Sequence, residues 1–103
     1  MASESVRWRV QYSNKAKKSI LRLTIKVKLQ LDLLAKEIEV AGPYRTNWPH
    51  YGHLKTAQGV PKNAYHCHIK SGRSTYVVCW RVEDKQQKMV EIYYVGTHED
   101  APY

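Results

Sequence analysis

Tyr76-Val77-Val78-Cys79-Trp80 is an apolar run without a polar break. A strand wet on one side alternates in polarity. One that is apolar on both faces belongs in the middle of a sheet. The strand read around this run extends from Thr75 to Val82. Ser71-Gly72-Arg73 precedes it as a turn, and Tyr65 to Lys70 reads as another strand before that turn. On the other side, Asp84 to Gln87 forms a turn and Lys88 to Val95 a third strand. From Asn63 onward the chain is therefore a three-stranded antiparallel meander.

Upstream, Val6-Arg7-Trp8-Arg9-Val10-Gln11-Tyr12 alternates apolar with polar or basic residues, the pattern of a half-buried strand. Ser13-Asn14 offers an N-cap for a short basic helix over Lys15 to Leu21. The next segment carries two periods. Leu21, Leu23, Ile25, Val27, Leu29, Leu31 and Leu33 fall on every second residue, while Val27, Leu31, Leu34 and Ile38 form a helical stripe. Its Leu, Lys, Gln, Glu and Ala content favours helix, Thr24 can cap the start, and Gly42-Pro43 stops it. The reading is a helix over Ile25 to Val40. Its surplus leucines either widen the apolar face or are covered when a partner binds. Pro43 to Pro61 is loop-rich, with Gly52 to Lys55 as no more than a short strand start. Tyr44, Trp48 and Tyr51 in that loop suit base stacking or pinning the loop to the core, and the core role is favoured.

The fold expected is α+β: a single domain over residues 1–103, ordered β-α-α-β-β-β. Two helices pack on one face of an antiparallel-rich sheet, and the other face is free to bind something. At 103 residues such a chain buries roughly 60–70% of its unfolded surface, enough for a core without metals or disulfides. Met1 to Ser5 is short and polar with no apolar segment after it, so no signal peptide is expected. No run is long enough to span a membrane. Two cysteines, Cys67 and Cys79, are too few for a disulfide framework, and a reduced cytoplasmic setting follows. Seventeen Lys and Arg against nine acids give a net charge of +8. That excess points to an acidic partner, with nucleic acid first and an acidic protein second.

Strand geometry puts Tyr65, Cys67 and Ile69 on the core face, and His66, His68 and Lys70 on the opposite one. A row of two imidazoles and an ammonium suits phosphate. Arg73 at the hairpin tip and Arg81 farther along the next strand are candidate phosphate grips. His98, just past the last strand, is the best acid/base candidate, because an imidazole exchanges protons near neutral pH. Tyr103 can donate a hydrogen bond or stack on a base. The tail should fold back beside the strand bearing His66 and His68, with Arg73 close by. His50, His53, His66, His68 and Cys67 are possible metal ligands. Yet there is no C-x-x-C, no helical H-x-x-x-H and no matching second pair, so neither metal nor cofactor is expected.

The order of elements resembles the RelE/ParE toxin superfamily, on the RelE side. The resemblance rests on the helix start Ser13-Asn14-Lys15-Ala16-Lys17-Lys18, the Gly42-Pro43 break and the His53-Leu54-Lys55 entry. It also rests on Tyr65-His66-Cys67-His68-Ile69-Lys70-Ser71-Gly72-Arg73 and on the ending Tyr94-Val95-Gly96-Thr97-His98-Glu99. What the resemblance implies is a toxin that enters the ribosomal A site, beside 16S rRNA, and cuts mRNA there without a metal. The 2′-hydroxyl attacks the adjacent phosphate, leaving a 2′,3′-cyclic phosphate and a 5′-hydroxyl. A cognate antitoxin silences such a toxin. By the same resemblance His66 and His68 take the places of basic residues on the first meander strand. Arg73 falls near the arginine after the hairpin, His98 at the catalytic position after the last strand, and Tyr103 near the C-terminal tyrosine. Lys70, Arg81 and Lys55 are the expected phosphate contacts. The alternatives are a ParE-like inhibitor of gyrase, which needs no acid/base pair, and a non-catalytic RNA- or protein-binding domain.

Overall fold

The computed structural model describes residues 7–103. Val6, counted in the first expected strand, and the polar start Met1 to Ser5 lie outside the described residues. The elements run β1 (Arg9–Tyr12), α1 (Asn14–Ile20), α2 (Ile25–Ala41), β2 (Gly52–Leu54), β3 (Ala64–Lys70), β4 (Tyr76–Asp84) and β5 (Met89–Thr97). A 3₁₀ turn over His98–Asp100 follows. The sheet order is β1-β5-β4-β3-β2, with β1 parallel to β5 and the other pairs antiparallel. The strand read as central does lie in the middle, and Val77, Val78, Cys79 and Trp80 are all fully buried.

Both helices start on the expected caps. Ser13 Oγ accepts from the Ala16 N–H at 3.1 Å, and Thr24 Oγ1 from the Val27 N–H at 3.3 Å. The period conflict in α2 resolves to helix. Val27, Leu31, Leu34 and Ile38 are buried against Cys67, Ile69, Val78, Trp80, Val90, Ile92 and Val95 of the sheet. Each such side chain contributes about 2 kcal/mol of burial. Gly42 ends the helix at φ +98°, where its N–H donates to the Ile38 carbonyl. A Cβ at that position would stand 3.3 Å from the Trp8 indole nitrogen, so glycine also seats β1 against the end of the helix. Among the described residues no helix is long and apolar enough to cross a membrane.

Two expectations need correction. The sheet has five strands, because Gly52–Leu54 pairs with β3 through Gly52–His66, His53–Tyr65 and Leu54–Ala64. Three residues are too few to show a period, and pairing rather than pattern makes them a strand. Nor is the face away from the helices free. It carries a second, small core of Leu54, Val60, Ala64 and Cys79, flanked by Tyr93 and Tyr94. The β2–β3 loop closes over it through the Ala57–Val60 bridge, and the tail lies on that loop, with Pro102 O 3.6 Å from where a Cβ on Gly59 would be.

The loop after α2 is fastened rather than loose. Glu37 Oε1 accepts from Trp48 Nε1 at 2.9 Å and from Arg45 and Asn47 at 3.2 Å each. Trp48 is buried in the main core, Tyr51 is half-buried against it, and Tyr44 stays exposed with its ring edge on Tyr65 at 5.5 Å. The Trp48 hydrogen bond, helped by those from Asn47 and Arg45, holds the Glu37 carboxyl below its usual range, against an opposing push from burial. Its folded pKa is depressed, so its contribution is present above the ordinary carboxylate pKa and lost as pH falls through the lowered one. Glu37→Gln should cost about 1 kcal/mol in urea unfolding at neutral pH and flatten the acid limb of the stability curve.

Candidate functional site

An open cavity of about 350 Å³ sits at the end of the sheet where β3 turns into β4 and β5 runs out. His68, Arg73, Ser74, Thr75, Thr97, His98 and Glu99 line it. Three elements bring these residues together. His68 comes from β3, just before a bulge between His68 and Lys70. Arg73 comes from the turn and carries no carboxylate partner among the described residues. His98 opens the 3₁₀ turn, and its backbone N–H donates to the Thr75 carbonyl at 2.8 Å, which ties the tail to the start of β4. Below it, the Tyr94 hydroxyl donates to the Thr97 carbonyl at 2.6 Å, fixing the exit from β5.

The aromatic rings form a connected group. His68 and His98 meet edge to face with centroids 5.4 Å apart, and His98 meets Tyr103 at 6.0 Å. Tyr103 reaches back to His66 at 4.8 Å. The tail thus lies against the strand bearing His66 and His68, with Arg73 on the same cavity. Gly52 makes room for this, since a Cβ there would stand 3.3 Å from His66 Nε2. Burial, then the nearby imidazoles of His50 and His98, lower the pKa of both His66 and His68, and His66 adds to the effect on His68. Burial first of all pushes the Tyr103 phenol up to about 12, so it is a donor and not an anion. His66 Nδ1 is buried with no hydrogen-bond partner.

The remaining expected contacts stand elsewhere. Lys70, beyond the bulge, donates to the Ser74 carbonyl at 3.3 Å, on the rim rather than in the wall. Lys55 follows β2 as an exposed residue outside the cavity lining. Arg81 lies four residues beyond Val77, the partner of His68, or about 13 Å along the strand. Its guanidinium bonds Glu91 at 2.9 Å and Glu83 at 3.3 Å. Two carboxylates already satisfy that cation, so Arg81 is placed as a cross-strand clamp and not as a phosphate grip.

Two further residues at the cavity carried no sequence signal for a place in this site. Glu99 lines the cavity. His50, considered only as a metal ligand, stacks on His68 with centroids 4.1 Å apart and planes 24° from parallel. Its backbone sits at φ +56°, and the adjacent Pro49 carbonyl accepts from the His68 N–H at 2.8 Å. Loop geometry, invisible to spacing rules, delivers that ring. Among the described residues no three His, Cys, Asp or Glu side chains converge as metal ligands do. The cavity therefore offers two adjacent imidazoles able to exchange protons, and one unpaired guanidinium able to meet an anion.

No family model and no curated protein matches the sequence. Solved structures do match in shape. The YoeB dimer of Staphylococcus aureus aligns at a TM-score of 0.67 and 16% identity, over 89% of this chain and 98% of that one. The isolated RelE toxin of Escherichia coli gives 0.64 at 20% identity, over 91% and 87% of the two chains. A RelBE toxin–antitoxin complex from Mycobacterium tuberculosis gives 0.65 at 16% identity, over 90% and 100%. Helix pair, mixed sheet and chain order agree nearly end to end, and this chain has the fold of the RelE and YoeB toxins.

Proposed function

We propose that the chain is an mRNA endonuclease that acts on the ribosome, the toxin of a toxin–antitoxin pair. The observation that carries this reading is the meeting of His68, Arg73 and His98 on one open cavity in a basic chain with the RelE fold. The reaction uses the RNA's own 2′-hydroxyl. His68, kept neutral near pH 7 by its lowered pKa, takes the 2′-hydroxyl proton as that oxygen attacks the adjacent phosphorus. The bond from phosphorus to the 5′-oxygen breaks, and His98 gives that oxygen a proton. The products are a 2′,3′-cyclic phosphate and a 5′-hydroxyl, so atoms and protons balance without a metal. Arg73 meets the charge that gathers on the phosphoryl oxygens. Tyr103 orders His66, and Lys70 lies along the path of the RNA backbone. The remaining catalytic groups and the pose of the mRNA come from the A site and 16S rRNA, which fits so sparse a site. A cognate antitoxin completes the set of partners, and the setting is the cytoplasm.

Programmed ribosomes incubated with the purified chain should yield A-site cuts by primer extension, with naked mRNA left whole. Intact mRNA on the ribosome at stoichiometric protein would overturn the reading.

Burial holds the His68 pKa down first of all, and the next contribution comes from His50. Its ring covers and faces His68, alongside His98 and His66. His50→Ala should raise the His68 titration midpoint by NMR toward the ordinary value near 6.5. The acid limb of the pH–rate profile should move up with it. An unmoved midpoint removes His50 from the mechanism.

A further inference from the structure

His68 stands in the wall of two cavities. One is the open cavity it shares with Arg73 and His98. The other measures about 120 Å³ and takes in Gln30 of α2, Trp48 of the loop, and Ile69, Lys70 and Ser71. Pockets that enclose a whole small molecule start at roughly 300 Å³, so this one admits an edge and not a nucleotide. Gln30 follows the buried Val27 by three residues and precedes the buried Leu34 by four. Helical geometry therefore sets it on the border of the core stripe, where α2 packs on β3. The bulge between His68 and Lys70 leaves Ile69 without a partner in β4 and bends the strand at this point. Two polar groups of the pocket are already committed. The Trp48 indole N–H donates to Glu37, and the Lys70 ammonium to the Ser74 carbonyl. The Gln30 carboxamide bonds no protein group among the described residues.

We infer that this second cavity selects adenine at the nucleotide whose 2′-hydroxyl faces His68, with Gln30 as the specificity residue; the inference rests on the ribonuclease reading. Base and 2′-hydroxyl hang from one ribose, so a nucleotide held with its hydroxyl at His68 has its base beside that ring. In single-stranded RNA the base edges are open to side chains. Adenine presents an amino donor at N6 next to an acceptor at N7. A carboxamide meets both, its oxygen accepting from N6 and its nitrogen donating to N7. Guanine presents two acceptors on that edge and wants a free guanidinium or ammonium, but the Lys70 ammonium is drawn to Ser74. Cytosine presents an amino donor that wants a carboxylate, and none lines the pocket among the described residues. Arg73, the group that suits a phosphate, lines the first cavity and not the second. Gln30 thus touches the base and not the reacting atoms.

Ribosomes are programmed with four mRNAs that differ only in the base on the 5′ side of the cut, and single-turnover cleavage by the full chain is measured on each. The adenine message should be cut at least about fivefold faster than the other three, the low end of what one bidentate pair discriminates. Gln30→Ala should erase that advantage and leave the other three rates within about twofold. Gln30→Glu, whose carboxylate only accepts, should move the preference to cytosine. Position 30 is exposed and both replacements suit a helix, so the variants should melt with the wild type. A wild-type chain that cuts all four alike, or favours another base, overturns the inference and leaves the ribonuclease reading standing. So does an adenine preference that survives either substitution, since the ribosome and not Gln30 would then set it. A wild-type chain that cuts none of the four overturns the reading, and the inference falls with it.

Discussion

Replacing His98 with alanine is expected to lower the rate of A-site cleavage about 10²- to 10⁴-fold, the usual loss for a missing general acid. The ring, not the backbone, carries the effect. The N–H that ties residue 98 to the Thr75 carbonyl survives in alanine, and the side chain is exposed, so the fold should hold. Single-turnover cleavage on programmed ribosomes, beside an unchanged melting curve, is the measurement. Arg81→Ala is the matched control. That guanidinium serves Glu91 and Glu83, so its loss should leave the rate within about twofold. A His98→Ala protein that cuts at full speed would remove this residue from the chemistry. A large loss in Arg81→Ala would move the phosphate site along β4.

How much of this was legible beforehand depends on range. The central strand announced itself because Val77 to Trp80 had to be buried on both faces. The helix stop announced itself because only glycine tolerates the φ that Gly42 adopts. The split of β3 into a core face and a histidine face followed from strand period alone. What escaped was set by contacts between distant segments. β2 exists through its pairing with β3. The second core exists because a loop and the tail fold over Cys79. Arg81 looked free in sequence, and only the register that sets it opposite Glu91 shows its charge already answered. His50 reaches His68 through a loop whose path depends on Glu37, Trp48 and Pro49. Val27 and Leu31 fitted both periods, and packing decided for the helix by burying Leu34 and Ile38 with them while Leu29 and Leu33 stay exposed.

The tail joins the two kinds of reading. Spacing alone put His98 beyond a strand, but its use requires that the turn at Ser71 to Thr75 stand beside it. That requirement reaches the core through β4, whose first residues pair with Gly96 and Thr97. The site is therefore only as well ordered as the middle of the sheet.

Trp80→Ala should accordingly cost about 3–5 kcal/mol, a large part of the roughly 5–15 kcal/mol that holds a small domain together. Trp80 is fully buried. It lies 6.4 Å from the Tyr65 ring and 6.2 Å from that of Tyr51, and its indole N–H donates to the Pro43 carbonyl at 3.0 Å. Alanine empties the space beneath α2 and strands that carbonyl. Trp80→Phe separates the two effects. It keeps most of the apolar volume and drops the donor, so its cost should be nearer about 1–2 kcal/mol. Urea unfolding followed by circular dichroism measures both variants, and a constant slope shows that stability rather than denatured-state compactness has changed. The pair also tests how the site is held. Pro43 begins the loop that carries His50, so Trp80→Phe should loosen the stacking of His50 on His68 and raise the His68 titration midpoint while the fold persists. Should Trp80→Ala cost less than about 1 kcal/mol, β4 would not be the buried centre of this sheet, and the cavity built on its end would lose its frame.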